Sequence, residues 1–245
     1  MIKIRTLVIN GATGGIGRAL VEVSKCENDF DKYVLYCRDV EKLNRQLGLL
    51  DSNEMDYKVI SYDMEKKNQD KNLVPYKFLD ETDEIILVLS AFVIEPIQLI
   101  DSMDSEDIEK NIRINIISQI ALIQQYVNYV ENTQKKLRIV FMDSGAAYKP
   151  LKGWSLYCCG KAYMDMFLEC LVAERSYDVV LYDPGVVDTG MQQIIRQSSP
   201  KVFDRVDEFK RFQTEGKLHT PAQVAKNMYD RYMKDWNAQQ FRERY

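Results

Sequence analysis

The sequence predicts an α/β fold in three layers, α/β/α, built on a parallel, doubly wound sheet. Short runs rich in β-branched residues alternate with longer amphipathic stretches, which is typical of repeated strand–helix–strand units. The run at residues 85–89, Ile-Ile-Leu-Val-Leu, is continuously apolar, as expected for a strand buried on both faces. The first predicted strand leads directly into a glycine-rich turn and a helix. Together these observations favour helices on both sides of a central sheet.

Six strands and five helices follow from this alternation. The strands are predicted at residues 5–9, 33–36, 57–61, 85–89, 137–142 and 179–182. The helices are predicted at residues 15–25, 40–47, 104–132, 156–176 and 221–236, and the 104–132 stretch is long enough to contain two helices. Residues 198–216 are polar without a period, which indicates a lid or a surface loop. Because no linker divides the chain, one domain over residues 1–245 is expected.

The composition restricts the possible functions. The 245 residues include 33 Lys and Arg against 37 Asp and Glu, so binding to nucleic acid through concentrated basic residues is not expected. His219 is the single histidine, so no metal site is predicted and proton transfer should use another group. The apolar run at residues 85–94 has about half the length of a membrane span. Five cysteines without zinc-type spacing, and no signal peptide, predict a cytoplasmic protein.

The glycine-rich turn has the pattern of a dinucleotide site. Residues 10–17 read Asn-Gly-Ala-Thr-Gly-Gly-Ile-Gly, between a predicted strand and a predicted helix. Glycines here allow a tight turn, close approach of the backbone to a pyrophosphate, and packing of the helix on the sheet. The expected cofactor contacts are Gly11, Thr13, Gly14, Gly15, Ile16 and Gly17. A turn without a ligand is the alternative, which its position between strand and helix disfavours.

The end of the second predicted strand indicates which dinucleotide is bound. NAD sites usually carry an acidic residue about 20 residues beyond the glycine turn, where it binds the ribose 2′-hydroxyl. Here that position is Cys37, and Arg38 follows it. The Arg38 guanidinium is suited to a 2′-phosphate, so NADPH is favoured over NADH. A solvated Arg38 is the alternative, and the neighbouring Asp39 would repel a phosphate.

A tyrosine and a lysine four residues apart form the second motif. Tyr157 and Lys161 would share one face of a helix, where the ammonium stabilises tyrosinate and lowers the pKa of the tyrosine. Ser144, thirteen residues before Tyr157, follows a predicted strand and could reach the same point. Tyrosine and lysine at this spacing usually lie on a solvated face, so the interpretation depends on this serine and on the glycine turn.

In the order of these motifs, the chain resembles the short-chain dehydrogenase/reductase family, whose fold is a Rossmann-type sheet. The resemblance extends from the glycine turn through Ser144, Tyr157 and Lys161 to residues 183–189, Asp-Pro-Gly-Val-Val-Asp-Thr. Within the family, Gly-Ala-Ala at 145–147, Lys-Gly-Trp at 152–154 and the run that follows Pro184 are similar to the sepiapterin reductase and benzil reductase branch.

The resemblance implies roles for individual residues. Tyr157 would give a proton to a carbonyl oxygen as hydride arrives from the nicotinamide, Ser144 would orient that oxygen, and Lys161 would hold the nicotinamide ribose. Asn115 matches the helix asparagine that anchors a water leading protons to the lysine. The remaining implied cofactor contacts are Asp63 at the adenine end, Ser90 and Ala91 after the fourth strand, and Pro184, Gly185, Val186 and Thr189 after the sixth.

Three features depart from the family pattern. Residues 89–92 read Leu-Ser-Ala-Phe where the family has Asn-Asn-Ala-Gly, and the Phe92 ring would repack the strand exit or narrow the cofactor cleft. Gly190 stands where the sepiapterin branch has an aspartate that holds the pterin, which favours a ketone or diketone as substrate. The tail at residues 237–245 lacks the usual glycine-containing approach to a seventh strand.

These features predict an NADPH-dependent carbonyl reductase that acts on a small molecule. The alternative is a regulatory or scaffold protein that binds the cofactor without turnover, and the change at residues 89–92 favours it. By family analogy a homodimer would form through the helices at 104–132 and 156–176, whereas a tetramer through the tail is not expected. Thr220 and Pro221 predict a helix start, with His219 in the preceding loop.

Overall fold

The computed structural model of the protein describes residues 3–48, 55–238 and 241–245. Seven parallel strands form one sheet in the order β3-β2-β1-β4-β5-β6-β7. The strands are β1 (Arg5–Asn10), β2 (Lys32–Cys37), β3 (Asp56–Ser61), β4 (Glu84–Leu89), β5 (Lys136–Met142), β6 (Asp178–Asp183) and β7 (Arg242–Arg244). The six predicted strands are therefore confirmed. The strand order reverses between β1 and β4, which is where sheets of this type bind ligands.

Helices cover the sheet, and the five predicted ones are present. They are α1 (Gly15–Glu27), α2 (Val40–Gly48), α3 (Tyr76–Leu79), α4 (Ser105–Ile112), α5 (Ser118–Thr133), α6 (Ser155–Arg175), α7 (Gly190–Gln197), α8 (Val206–Thr214) and α9 (Pro221–Met228). The long 104–132 stretch is α4 and α5 joined by a π-helical segment, Arg113–Ile117, and a second such segment, Tyr229–Lys234, extends α9. Within the described residues, no helix is long and apolar enough to span a membrane.

Alternating side chains of the strands build two hydrophobic cores, one on each face of the sheet. On β1, Leu7 and Ile9 point into the core under α1, α2 and α9, whereas Val8 points into the core under α5 and α6. Successive side chains of a strand face opposite sides, so a strand that is apolar throughout contributes to both cores. The predicted α/β/α layering is confirmed.

The region between the sixth strand and the last helix differs from its prediction. Residues 206–214 were expected in a lid or loop, but they form α8. This helix buries Val206 and Phe209 against Trp154 and Phe203 in a third apolar cluster. Charged residues separate the apolar ones of α8, and this short amphipathic helix is stabilised by packing more than by propensity. The expectation of a loop was therefore wrong for α8.

The tail contributes the seventh strand, although it lacks the usual glycine-containing approach to one. Leu181, Tyr182 and Asp183 of β6 pair with Arg242, Glu243 and Arg244 of β7. Glu243 is buried and its carboxylate accepts a hydrogen bond of 2.7 Å from the Tyr232 hydroxyl. A strand made of three charged residues has no apolar pattern, so the sequence did not show it. Residues 239 and 240 of the tail lie outside the described residues.

The start of the last helix confirms its prediction. The Thr220 hydroxyl accepts a hydrogen bond from the backbone N–H of Gln223, whose side chain accepts one from the backbone N–H of Thr220. Pro221 occupies the first helical turn, where a missing N–H leaves no partner unsatisfied. His219 is not in a free loop, because it bridges Val187 and packs against the Tyr245 ring.

Candidate active site

The glycine turn brings the backbone of β1 against the exit of β4. Gly11 has a φ of +95°, and a Cβ added there would lie 2.9 Å from the backbone nitrogen of Ala91. A Cβ on Gly17 would lie 2.3 Å from the carbonyl oxygen of Gly11. The Ser90 hydroxyl donates to the carbonyl of Asn10 at 2.7 Å and fixes the turn from the side of β4. Only glycine fits these two positions.

The turn leaves the N-terminus of α1 open toward a cavity. Gly14 is the N-cap and provides no side-chain hydrogen bond, and the first turn contains no acidic residue. The backbone N–H groups of such a terminus bind anions and carry the positive end of the helix dipole. The cradle therefore fits a pyrophosphate. Thr189 closes it from the other side, since a Cβ on Gly15 would lie 2.9 Å from the Thr189 Cγ2.

Two adjoining cavities meet at this point. The first, of about 380 Å³, is lined by the start of α1, the ends of β5 and β6, and residues of α6, α7 and α8. The second, of about 290 Å³, is lined by Thr13, Arg38, Asp63 and neighbouring residues at the ends of β1, β2 and β3. Gly14, Ser90 and Phe92 line both cavities. An elongated ligand that crosses the glycine turn would occupy both.

Arg38 lies at the mouth of the second cavity, where an ion pair already engages it. Its side chain is 72% exposed, and its guanidinium lies 3.3 Å from the Glu65 carboxylate, which also pairs with Lys110 at 3.2 Å. Asp39, expected to repel a phosphate, instead accepts a hydrogen bond from the backbone N–H of Lys42 at the start of α2. Glu65 is the acidic neighbour of Arg38 that sequence reasoning missed.

Ser144 and Tyr157 meet at the wall of the first cavity. Ser144 follows β5, and its hydroxyl accepts a hydrogen bond of 3.2 Å from the backbone N–H of Ala146. Tyr157, in the first turns of α6, is buried, and its hydroxyl interacts with the Ser144 side chain. Burial raises the pKa of Tyr157, and the Ser144 hydroxyl opposes this increase. The expected lowering of this pKa by Lys161 is therefore wrong for this arrangement.

The position of Lys161 gives the physical reason. Its Nζ donates to the carbonyl oxygen of Met142 and lies 3.6 Å from the centroid of the Phe92 ring and 4.6 Å from that of Phe141. The residue is only 2% exposed. Burial lowers the pKa of Lys161 to about 8, and the nearby carboxylates oppose this decrease. The ammonium is thus directed at a carbonyl and at aromatic rings, among them the Tyr157 ring, whose centroid lies 5.7 Å from Nζ.

Asn115 connects the π-helical segment to the exit of β4. Its Oδ1 accepts from the backbone N–H of Val93 at 2.9 Å, and its Nδ2 donates to the Val93 carbonyl at 2.8 Å and to Asn111 Oδ1 at 3.2 Å. The side chain of this interior helix asparagine thus holds the backbone of residue 93. Because Phe92 precedes Val93, Asn115 also fixes the backbone that presents the Phe92 ring to Lys161.

The exit of β6 completes the cavity on the side of α7. Gly185 has a φ of +67°, and its backbone N–H donates to the Asp183 carboxylate at 2.9 Å. This turn brings Pro184, Gly185, Val186 and Thr189 to the cavity wall that also includes the start of α1. The residues expected at the nicotinamide end are therefore brought together in one place.

Aromatic rings form the remaining wall. Trp154 stacks on Phe203 with centroids 4.5 Å apart and meets Tyr157 and Phe209 edge to face. Phe203 and Phe209 come from the region predicted as a lid or loop, so sequence reasoning missed them. Within residues 3–48, 55–238 and 241–245, no three His, Cys, Asp or Glu side chains form a group that could hold a metal ion.

Comparison with known proteins identifies the family. A sequence model described as short chain dehydrogenase matches residues 5–200. The chain belongs to the short-chain dehydrogenase family. It is therefore an oxidoreductase, and the cradle at the glycine turn fits the nicotinamide dinucleotide of these enzymes. The matched region contains the glycine turn, Ser144, Tyr157 and Lys161, so the resemblance to this family is confirmed.

Two relatives belong to the branches expected from the sequence. A benzil reductase ((S)-benzoin forming) of Bacillus cereus is 28% identical over 228 residues, which are 91% of each chain. A sepiapterin reductase of Meriones unguiculatus is 32% identical over 136 residues, or 54% of this chain and 51% of that protein. This short-chain dehydrogenase is thus similar to the benzil reductase over almost its whole length and to this sepiapterin reductase over about half.

Solved structures show the same fold. The KRED1-Pglu enzyme has a TM-score of 0.79 and 26% sequence identity, and the match covers 93% of this chain and 94% of that one. ElxO with NADP bound has a TM-score of 0.76 and 21% identity, with 98% and 96% covered. The short-chain dehydrogenase described here shares its architecture with both along nearly the entire chain.

Proposed function

We propose that this short-chain dehydrogenase is an NADPH-dependent carbonyl reductase that reduces a ketone or diketone of a small molecule. The observation that carries the proposal is the meeting of Ser144 and Tyr157 at the wall of an apolar cavity that also contains the open N-terminus of α1. A proton donor and a dinucleotide cradle then face one space. Bound NADPH would supply the hydride, and the protein would supply the proton.

The proposed cofactor site extends through both cavities. The backbone of Gly11, Thr13, Gly14, Gly15, Ile16 and Gly17 would hold the pyrophosphate, and Arg38 and Asp63 would hold the adenosine end. Arg38 is the cation suited to the 2′-phosphate that distinguishes NADPH from NADH. The residues that would hold the nicotinamide end are Ser90, Ala91, Tyr157, Lys161, Pro184, Gly185, Val186 and Thr189.

The proposed proton donor is Tyr157. Burial raises the pKa of Tyr157, which keeps its hydroxyl protonated near neutral pH until a carbonyl oxygen that gains negative charge accepts the proton. The Ser144 hydroxyl, beside the Tyr157 hydroxyl, orients the same oxygen. Lys161 holds the nicotinamide ribose, and Asn115 anchors the path that returns protons to it.

The cavity favours a substrate with apolar or aromatic groups beside the carbonyl. Its substrate side is lined by Phe92, Ile94, Trp154, Met191, Ile195 and Phe209. A Cβ added at Gly190 would meet no other atom within 4 Å, so this position offers open space and no side chain to anchor a polar heterocycle. The similarity to benzil reductases agrees with these contacts. We therefore propose a diaryl or alkyl aryl diketone in preference to a pterin.

The test is a cofactor oxidation assay with the purified protein. We expect NADPH absorbance to fall when benzil is added, with a lower kcat/KM when NADH replaces NADPH. Binding of NADPH without turnover on benzil or on a panel of ketones would support the alternative, a regulatory or scaffold protein of this fold. Absence of binding to either nicotinamide cofactor would contradict both proposals.

We also propose that the chain, as one domain over residues 1–245, acts as a homodimer in the cytoplasm. Ile117 on the π-helical segment and Tyr163 and Met166 on α6 are exposed apolar side chains on neighbouring elements. Burying these side chains against a second copy would remove apolar surface from water. Light scattering would show a mass near twice that of the chain, and a monomer at micromolar concentration would contradict the dimer.

A further inference from the structure

Two buried carboxyl groups lie behind the candidate active site and have no role in the proposed mechanism. Asp143 directly precedes Ser144, and Asp165 lies one helical turn after Lys161 on α6. Asp143 is 5% exposed and Asp165 is 3% exposed. Two ionised carboxylates at this depth would repel each other, and each would lose its hydration.

The hydrogen bonds around the pair lack one proton donor. The Tyr148 hydroxyl lies within hydrogen-bonding distance of Oδ2 of both Asp143 and Asp165, but it has a single proton to donate. Its oxygen also accepts a hydrogen bond of 2.6 Å from Arg242 Nε. The backbone N–H of Ser144 interacts with the Asp143 carboxylate, but Oδ1 of both aspartates is buried without a hydrogen-bond partner, and the two carboxyl groups contact each other. A proton on one carboxyl group supplies the missing donor.

The surrounding charges do not neutralise the pair completely. Lys161 faces Asp143 from α6, and Asp183 at the end of β6 adds a third carboxylate near this lysine. Arg242 of β7 lies 3.7 Å from Asp165 but also contacts the Glu169 carboxylate. Burial raises the pKa of Asp165 to about 7 and also raises that of Asp143, which Lys161 opposes.

We propose that Asp143 and Asp165 share one proton near neutral pH and that this pair is a positioning element that controls the charge of Lys161. Loss of the shared proton places a second negative charge close to the ammonium and stabilises its charged form. Tyr148, whose side chain is 53% exposed, connects the pair to solvent. The proposal rests on the proposed function only where it links Lys161 to turnover.

The first test measures stability and needs neither cofactor nor substrate. A shared proton means that the folded protein binds one proton that the unfolded chain releases between about pH 4 and pH 7. In this window the unfolding constant of the wild type should rise by up to about tenfold per pH unit. In Asp165→Asn the amide N–H replaces the shared proton, so this dependence should decrease by about one proton.

Matched variants distinguish the effect of the carboxyl pair from the effects of neighbouring charges. Glu169→Gln removes another carboxylate that contacts Arg242 on the same helix, and it should keep the wild-type pH dependence. Lys161→Met removes the positive charge beside Asp143, so the midpoint of the pair should move to higher pH by about one unit. If Asp165→Asn does not fold, Asp143→Asn makes the same test from the other carboxyl group.

The second test is the pH profile of carbonyl reduction. Asp165→Asn prevents the second ionisation, so Lys161 should lose its proton at lower pH and the alkaline limb of kcat/KM should move down by about one unit. Glu169→Gln should leave the profile unchanged. An unchanged pH dependence of unfolding in Asp165→Asn would overturn the shared proton. If the pH dependence of unfolding does change in Asp165→Asn, either of two results would still overturn control of Lys161 by the pair. One is that the midpoint of the pair does not move in Lys161→Met. The other is that the alkaline limb of kcat/KM does not move in Asp165→Asn.

The two tests also distinguish this inference from the proposed function. A wild type that reduces no carbonyl but shows the stability effects in both Asp165→Asn and Lys161→Met would refute the reductase and support the pair. An active reductase whose unfolding does not respond to Asp165→Asn would support the proposed function and refute the pair.

Discussion

The ammonium of Lys161 lies over the ring of Phe92, 3.6 Å from the ring centroid. Phe92 also meets Tyr157 edge to face at 5.6 Å, so one ring contacts both residues of the tyrosine–lysine pair. The family has glycine at this position, which has no ring to cover the ammonium. The departure at residue 92 therefore changes the surroundings of the lysine.

Phe92→Leu should lower stability in a way that depends on pH. The cation–π contact exists only while Lys161 is charged, and burial lowers the pKa of Lys161 to about 8. A desolvated contact of this kind contributes about 1–2 kcal/mol. The smaller side chain should lower the free energy of unfolding by the same amount at both pH values. Beyond this constant loss, we expect a further loss of about 1–2 kcal/mol at about pH 6 and none at about pH 10. Urea denaturation at both pH values measures the difference.

Phe30→Leu is the matched control for this effect. Its ring lies 4.7 Å from the guanidinium carbon of Arg5, and arginine does not lose its proton in this pH range. The stability loss of Phe30→Leu should therefore be equal at the two pH values. If the stability loss of Phe92→Leu is also equal at the two pH values, Lys161 is not charged beneath the Phe92 ring at the lower pH.

Tyr157→Phe should abolish turnover while keeping cofactor binding. The variant removes the hydroxyl beside Ser144 but keeps the ring that packs against Phe92 and Trp154. Loss of a positioned proton donor lowers kcat by about 10²–10⁴-fold. We expect the Kd for NADPH, followed by its fluorescence, to remain within about twofold. Tyr163→Phe, an exposed position on the same helix, should retain wild-type turnover, and full activity of Tyr157→Phe would refute the proposed donor.

Arg38→Ala should weaken binding of NADPH and leave binding of NADH unchanged. Because the guanidinium is exposed, solvent screens its contact with a phosphate, and we expect about a tenfold increase in the Kd for NADPH. Glu65→Gln should lower this Kd by about threefold, since it releases Arg38 from an ion pair. Arg45→Ala removes the same charge from a position on α2 and should change neither the Kd for NADPH nor the Kd for NADH. An equal loss for both cofactors in Arg38→Ala would contradict the selectivity.

Gly17→Ala should disrupt the glycine turn. The added Cβ would lie 2.3 Å from the Gly11 carbonyl oxygen, so the turn or the helix must shift. Such overpacking lowers stability by about 1–3 kcal/mol, and we expect NADPH binding to become undetectable. Gly48→Ala, at a helical glycine whose added Cβ would meet no atom of the described residues within 4 Å, should be neutral or slightly stabilising. Thermal unfolding and cofactor titration of both variants measure these effects.

The parts of the fold that the sequence predicted are those determined by local pattern. A continuously apolar run such as residues 85–89 has few alternatives to a buried central strand, and the Thr220–Pro221 start of α9 follows from backbone hydrogen bonding alone. The three charged residues of β7 carry no such pattern, because their pairing is decided by β6 and by the buried Glu243. The packing of Phe203 on Trp154 is likewise a contact between distant segments.

The candidate site likewise has features that the sequence predicts and features that it does not. The sequence alone predicts that Ser144, Tyr157 and the glycine turn lie close together, because strand ends of a parallel sheet share one edge and residues four apart share a helix face. The orientation of Lys161 toward Met142 and Phe92 depends on how α6 lies on the ends of β4 and β5, which helix spacing does not specify. Sequence spacing also does not predict contacts between carboxyl groups such as those of Asp143 and Asp165.

The last strand makes the wall behind the site depend on a segment that is synthesised after the proposed site residues. A nascent chain of about 200 residues already contains the glycine turn, Ser144, Tyr157 and Lys161, but it lacks Arg242, which holds Tyr148 beside Asp165. Domains generally fold from the N-terminus as they emerge from the ribosome. The carboxyl pair behind the site therefore becomes buried in its final form only when β7 docks on β6. This wall of the site is therefore completed only after β7 has been synthesised.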